Sequence, residues 1–338
     1  MLTAAEGRPV EFKQDAASIA AGRILTTIRC TVLIDKLFEG MAAIGTWPFS
    51  QSAVEKMQRM ISAGEHATDA VEEAMAEVED NLETGRFVVG RGGFPNSAGV
   101  LECDAAIMEG QPGRFGAVAA LRGVGTPIRV ARRVLDGSPH SMLVGEGASA
   151  FAQDQGFSLD PDSRMLSAPT AAAYLEFLQK QKSVPGHDTL GLIALDLKGN
   201  ITVGVSSSGI PFKAPGRVGD SPLPGCGLYA DHITPSQLAT GDGDKIMSYC
   251  PSYHAVQLMK QGRAPAEACE AVLQDIAERL GTDEGFEIGL VAMNIKGEMG
   301  AASSLKFPYT FWNFGMASVE KCIQNPVTWV NLSANQQQ

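Results

Sequence analysis

Thr189 stands at the mouth of an apolar run, directly behind His187, Asp188 and a Pro185-Gly186 turn. A threonine hydroxyl is a weak nucleophile and needs a base within hydrogen-bond reach. One solution makes the base the threonine's own α-amino group, freed by cutting the chain just before it. An α-amino group titrates at about 8, which suits proton transfer at neutral pH. That solution needs a threonine opening a strand behind an exposed loop, and a bond to cut, here Asp188–Thr189. The plainer reading is that a β-branched residue simply begins a strand.

Three further segments hold groups that would serve such a nucleophile. Val205–Gly209 (VSSSG) puts three hydroxyls at the end of the next apolar run. Pro215–Asp231 packs four glycines and three prolines into 17 residues and carries Arg217 and Asp220 in what reads as a tight loop. A guanidinium is a fork suited to a carboxylate, and a carboxylate suits an ammonium. Together they would grip the zwitterionic head of an α-amino acid, although an ion pair stiffening a surface loop has the same spacing. Ala239–Lys245 (ATGDGDK) ends at a helix start, where backbone amides and the Thr240 hydroxyl could receive an oxyanion. Asp242 and Asp244 do not make a calcium loop, which needs further spaced ligands and a closing glutamate. The five histidines show no metal-ligand spacing, and no metal or cofactor is expected.

These segments need elements to hold them together. Leu190–Leu197 and Ile201–Val205, joined by Lys198-Gly199-Asn200, read as a β-hairpin. Ile288–Ile295 with Met299–Ser304, and Val100–Met108 with Phe115–Leu121, repeat the pattern. Gly40–Trp47 reads as a short buried strand. Helical periodicity covers Ser52–Leu82, broken near Ala63-Gly64, then Pro127–Leu135, Pro169–Gln181, Asp244–Gln261 and Pro265–Leu280. Asp160–Pro185, polar with one short helix, reads as an exposed connection. Hairpins alternating with helices, without strict βαβ order, predict an α+β fold of antiparallel sheets covered by helices. The strands are almost continuously apolar, as expected of sheets buried on both faces. Two antiparallel sheets between two helical layers satisfy that pattern.

A chain of 338 residues with a formal charge of −11 and no basic cluster is a poor partner for nucleic acid or an anionic membrane surface. No uncharged apolar run reaches the roughly 18 residues of a membrane-spanning helix. Six irregularly spaced cysteines without a C-x-x-C suggest mostly buried thiols and a reducing compartment. No clean signal peptide opens the chain, because Asp15, Arg23, Arg29 and Asp35 interrupt its apolar stretches, and this favours a cytoplasmic setting. Gly145-x-Gly147-x-x-Ala150 opens a helix as a dinucleotide-binding turn does, but the expected parallel sheet and ribose-binding acid are missing.

The blocks HDTLGLIALDLKGN from His187, GRVGDSPLPGCGLYAD from Gly216 and ATGDGD from Ala239 resemble the signatures of the glycosylasparaginases (aspartylglucosaminidases). These are N-terminal-nucleophile hydrolases. Thr46–Phe49, Gly90–Asn96, Asp104–Gly110 and Met142–Phe157 resemble further blocks in the family's order, so the likeness runs from about Gly45 to Cys322. The resemblance implies a four-layer αββα sandwich, a single domain over 1–338. It also implies a precursor that cuts itself at Asp188–Thr189 into 1–188 and 189–338. Thr189 would be the nucleophile, its freed amine the base, and Ser207 a supporting hydroxyl. Arg217 and Asp220 would hold the substrate's α-carboxylate and α-amino group. Thr240 and Gly241 would form the oxyanion hole, with Trp47 and Phe49 at the rim of the site. The implied partner is a small glycoasparagine substrate, the implied assembly a dimer of αβ units, and the family's setting lysosomal.

Some positions depart from the family pattern. Val205 and Ser208 replace a hydroxyl and an amide, Val88 replaces Ser or Thr, and Arg91 replaces an aromatic residue. These changes fall on the outer pocket and spare the nucleophile and the amino-acid clamp. Two other readings stay open. One is an asparaginase or isoaspartyl peptidase of the same superfamily, since Arg217 and Asp220 would grip aspartate either way. The other is an uncut, catalytically silent homologue that binds an amino acid or a partner.

Overall fold

Strands form where small and β-branched apolar residues run between turn residues, and helices where apolar residues recur every three to four positions. The computed structural model describes residues 40–81, 89–180, 189–231, 236–280 and 286–327. Its strands are β1 (Ala42–Thr46), β2 (Cys103–Glu109), β3 (Phe115–Leu121), β4 (Met142–Val144), β5 (Leu190–Leu195), β6 (Ile201–Ser207), β7 (Leu228–Ala230), β8 (Ser236–Gly241), β9 (Ile288–Met293), β10 (Met299–Ser303), β11 (Phe307–Asn313) and β12 (Glu320–Gln324). Its helices are α1 (Gln51–Ser62), α2 (Ala67–Asp80), α3 (Pro127–Gly137), α4 (Gly145–Asp154), α5 (Asp162–Met165), α6 (Ala168–Lys180), α7 (Gly243–Ile246), α8 (Pro251–Lys260) and α9 (Pro265–Leu280).

Among the described residues the strands make two sheets. One has eight strands in the order β12-β11-β1-β5-β6-β2-β3-β4, the other four in the order β10-β9-β8-β7. Pairing is antiparallel throughout, with one exception to the expected pattern. The edge pair β3–β4 is parallel, because the chain crosses over through α3. Ile44, Ile193, Val203, Val205, Leu238, Val291 and Phe307, all fully buried, fill the space between the sheets. The amphipathic helix α2 buries Val71, Met75 and Val78 and packs with α1 and α3 on the larger sheet. On the far side Val272, Leu273 and Ile276 of α9 pack against Ile288 and Leu290. The layer order is helix, sheet, sheet, helix, as the hairpin pattern and the resemblance predict.

The three expected hairpins and β1 are present. Asp244–Gln261 is not one helix: it divides into α7 and α8 at Cys250, whose φ is 48°. Pro251 takes the first position of α8, and the residue before a proline is pushed out of the helical region. The connection after Asp160 carries two helices, α5 and α6, rather than one. Leu82 and Gln181, where two helices were expected to end, lie outside the described residues.

The two sheets meet closely beside Thr189. A Cβ at Gly191 would lie 2.7 Å from both methyl carbons of Leu238 across the interface. Gly191→Ala should therefore overpack this point and cost about 1–3 kcal/mol in denaturant unfolding. Leu238→Ala should cost about 2–5 kcal/mol by leaving a cavity. The double variant should cost clearly less than the sum, because each change relieves the other. Additive losses would show that these two residues do not set the spacing of the sheets.

Candidate active site

Strand direction brings the site together. β5 runs antiparallel to both β1 and β6, so its start lies beside their ends. Val205 and Leu238 point into the space between the sheets. Side chains alternate along a strand, so Thr189, Ser207 and Thr240 face the same space. All three are buried. Thr189 N donates to Thr240 Oγ1 at 3.3 Å, which ties the start of β5 to the end of β8 in the other sheet. Thr46 Oγ1 donates to the Thr189 carbonyl at 2.6 Å and accepts from Gly191 N at 2.8 Å, fixing the backbone on both sides of Leu190.

Trp47 donates from Nε1 to the same Thr240 oxygen at 3.1 Å. An indole N–H can only donate, so Thr240 accepts from both Trp47 and Thr189, and its own proton is left to give. Trp47 is held for this in a backbone conformation rare outside glycine, φ 62° and ψ 160°. Its backbone N–H donates to Pro308 O at 3.0 Å, and its ring meets Phe307 edge-on at 5.0 Å. Phe49 lies half-buried in the single turn Pro48–Ser50 and is not among the residues lining the cleft. Gly241 follows Thr240 with φ 137°, and a Cβ there would collide with the Glu287 carbonyl.

The glycine- and proline-rich loop closes the cleft. Arg217 donates from Nε to Asp244 Oδ1 at 3.0 Å, and this leaves its two terminal nitrogens toward the cleft, against Gly209 and Gly219. The backbone carbonyl of Asp220 accepts from Leu223 N at 2.9 Å and Gly227 N at 3.1 Å. The Asp220 carboxylate is buried, and its Oδ2 has no hydrogen-bond partner among the described residues. A buried polar atom without a partner points to a ligand. Burial pushes the Asp220 carboxyl up to about 7, with Asp104 and Asp242 adding to the shift and a backbone hydrogen bond and Arg217 opposing it. Arg217, Asp220, Thr189, Ser207 and Gly241 all line one narrow cleft, whose enclosed space is about 10 Å³. Its lining groups have the chemistry to meet a carboxylate and an ammonium beside a threonine hydroxyl.

Sequence reasoning gave no role here to Asp104, Lys213, Thr46 and Asp244. Asp104 at the start of β2 lines the cleft, accepts from Ala120 N at 2.8 Å and lies 3.8 Å from Lys213 Nζ, both side chains buried. An acid opening an apolar strand was the available signal. Thr46 and Asp244 act only through partners distant in sequence, which no local pattern announces. Asp188, His187 and Val88 lie outside the described residues, and so does the bond expected to be cut.

The four-layer order with a threonine at the cleft is the fold of the N-terminal-nucleophile hydrolases. The profile of the asparaginase family matches residues 33–318. An N(4)-(Beta-N-acetylglucosaminyl)-L-asparaginase of Elizabethkingia miricola is 38% identical over 267 residues, spanning 76% of this chain and 77% of its own. Proteins of that name from Rattus norvegicus and Mus musculus are 34% identical over 80% of this chain and 86% of theirs. The chain belongs to the asparaginase family, and it is a hydrolase acting on amide bonds.

The Asp220 carboxyl links stability to pH. A carboxyl raised on folding holds its proton more tightly in the folded state. Its contribution is fully present below about pH 4 and is lost as the pH rises to about 7. Wild type should therefore lose stability relative to Asp220→Asn across that window, read as Tm at each pH. A constant difference between the two proteins would show that Asp220 ionises as freely folded as unfolded.

Proposed function

We propose that the protein cleaves the side-chain amide of asparagine bearing N-acetylglucosamine, with Thr189 as the nucleophile. The observation that carries this reading is the unpartnered, buried Asp220 carboxylate in one cleft with Arg217 and Thr189. The relatives named above support the choice of substrate.

Thr189 first frees its own amine. Its hydroxyl attacks the Asp188 carbonyl, the peptide C–N bond breaks, and water hydrolyses the resulting ester. The new α-amine donates one N–H to Thr240 and keeps its lone pair for the Thr189 hydroxyl. Arg217 holds the substrate's α-carboxylate and Asp220 its ammonium. The amine takes the Thr189 proton as Oγ attacks the side-chain carbonyl. The negative charge on the carbonyl oxygen is met by the Thr240 hydroxyl proton and the Gly241 N–H. The protonated amine then gives its proton to the leaving glycosylamine. Water, activated by the same amine, releases aspartate from the ester. Ser207 stands beside Thr189 as a second hydroxyl.

The purified protein should run as two chains, 1–188 and 189–338, with threonine at the new N-terminus by end-group sequencing. Thr189→Ala should stay one chain and lack activity. A wild-type chain that stays whole and still turns over substrate would rule out the amine as base, and one that stays whole and inactive would favour a silent binding protein.

Side-by-side kinetics should separate the related activities. The value of kcat/KM for the sugar-linked substrate should exceed that for asparagine or a β-aspartyl dipeptide by at least about tenfold, roughly 1.4 kcal/mol. A preference for the dipeptide would make the protein an isoaspartyl peptidase with the same nucleophile and clamp.

A further inference from the structure

Five cysteines fall among the described residues, all as free thiols. Cys103 and Cys269 are deeply buried and Cys322 is half-buried. The other two meet. Cys226 Sγ and Cys250 Sγ are 3.7 Å apart, and both approach the Met247 carbonyl, at 3.8 and 3.9 Å. Their backbones are already tied side by side. Ser252 Oγ donates to the Cys226 carbonyl at 2.6 Å, and Tyr253 N donates to the Gly225 carbonyl at 3.0 Å. The contact survives at a cost, because Cys250 sits in the left-handed region at φ 48° and ψ 51°.

We propose that Cys226 and Cys250 are a disulfide-forming site, open to a low-molecular-weight disulfide, that staples the loop carrying Asp220 to the start of helix α8. Cys250 is exposed and meets the reagent first. Its thiolate attacks one sulfur of the small disulfide, forms a mixed disulfide and releases one small thiol. Cys226 then gives its proton to solvent, attacks the Cys250 sulfur and releases the second small thiol. Two protein thiols are oxidised by two electrons, and one small disulfide is reduced to two thiols. Burial, the neighbouring Cys250 and Asp220 push the Cys226 thiol up to about 12, so it stays protonated while Cys250 reacts, and its attack is the slower step.

The staple bears on the amino-acid clamp through short links. Cys226 N donates to the Leu223 carbonyl, and Leu223 N and Gly227 N both donate to the Asp220 carbonyl. Fixing Cys226 to Cys250 therefore limits the movement of the turn that carries the Asp220 carboxylate. It also closes a loop of chain that would otherwise be free on unfolding. None of this depends on which substrate the cleft takes.

The test uses the full protein, first reduced and then held with glutathione disulfide. Free thiols are alkylated and the peptides mapped. A peptide pair joined through Cys226 and Cys250 is expected, together with a rise in Tm of at least about 3 °C that dithiothreitol reverses. Cys250→Ser, a change at an exposed position, should show neither. Both cysteines alkylated after oxidation, or Cys250 carrying glutathione with Cys226 still free, would overturn the proposal. A linked pair with unchanged Tm would overturn the staple.

Discussion

The oxygen of Thr240 is the point on which the geometry of the cleft rests. It lies at the end of β8 in the smaller sheet and accepts from Trp47 and Thr189, which belong to the ends of two strands in the larger one. A hydroxyl with both lone pairs engaged has a defined direction for its proton. The contact between sheets thus does two things at once. It sets the distance between two layers that otherwise touch through apolar side chains, and it orients a donor. The rare backbone conformation of Trp47 is sustained because its ring is held both through its indole N–H and by the T-shaped contact with Phe307. A strained residue over-determined by its surroundings is the pattern expected where position matters more than local stability.

Around that contact the protein buries charge, which apolar layers resist. Asp104, Asp220 and Arg217 all line the cleft, with Lys213 Nζ 3.8 Å from Asp104. Asp104 has a backbone N–H and a lysine for partners, and Asp244 holds Arg217 in place from the solvent side. Asp220 keeps an oxygen, Oδ2, without a hydrogen-bond partner among the described residues. Its raised affinity for a proton is the electrostatic expression of the same vacancy. A ligand ammonium would supply the charge that the protein withholds. The loop that presents it is short of conformational freedom by composition, and two backbone hydrogen bonds to the Asp220 carbonyl restrict it further.

Much of this was legible in the chain. The apolar hairpins around Lys198-Gly199-Asn200 and Lys296-Gly297-Glu298 are local structures, written in neighbouring residues, and they appear where periodicity places them. β4, β7, β8, β11 and β12 were not read. β8 (SQLATG) is entirely buried yet carries three hydroxyl or amide side chains, so its burial is not announced by its composition. β11 and β12 form the edge of the larger sheet, where half-exposed strands lose the continuous apolar signal. The split at Cys250 was written in Pro251, but helical periodicity on both sides masked it.

The sequence by itself determined which residues are candidates for the chemistry: a threonine behind an acid at a strand entrance, an Arg and an Asp in a glycine- and proline-rich loop, a Thr-Gly before a helix start. Reactive groups have few substitutes, so residue type alone narrows their roles, and the resemblance assigned them. Only the tertiary structure decided that Thr189, Arg217, Asp220 and Gly241 share one cleft, and that Trp47 turns inward to Thr240. Those contacts join residues from about 50 to nearly 200 positions apart. They arise from the antiparallel direction of β1, β5 and β6 and from the packing of one sheet on the other, which no local pattern of side chains encodes.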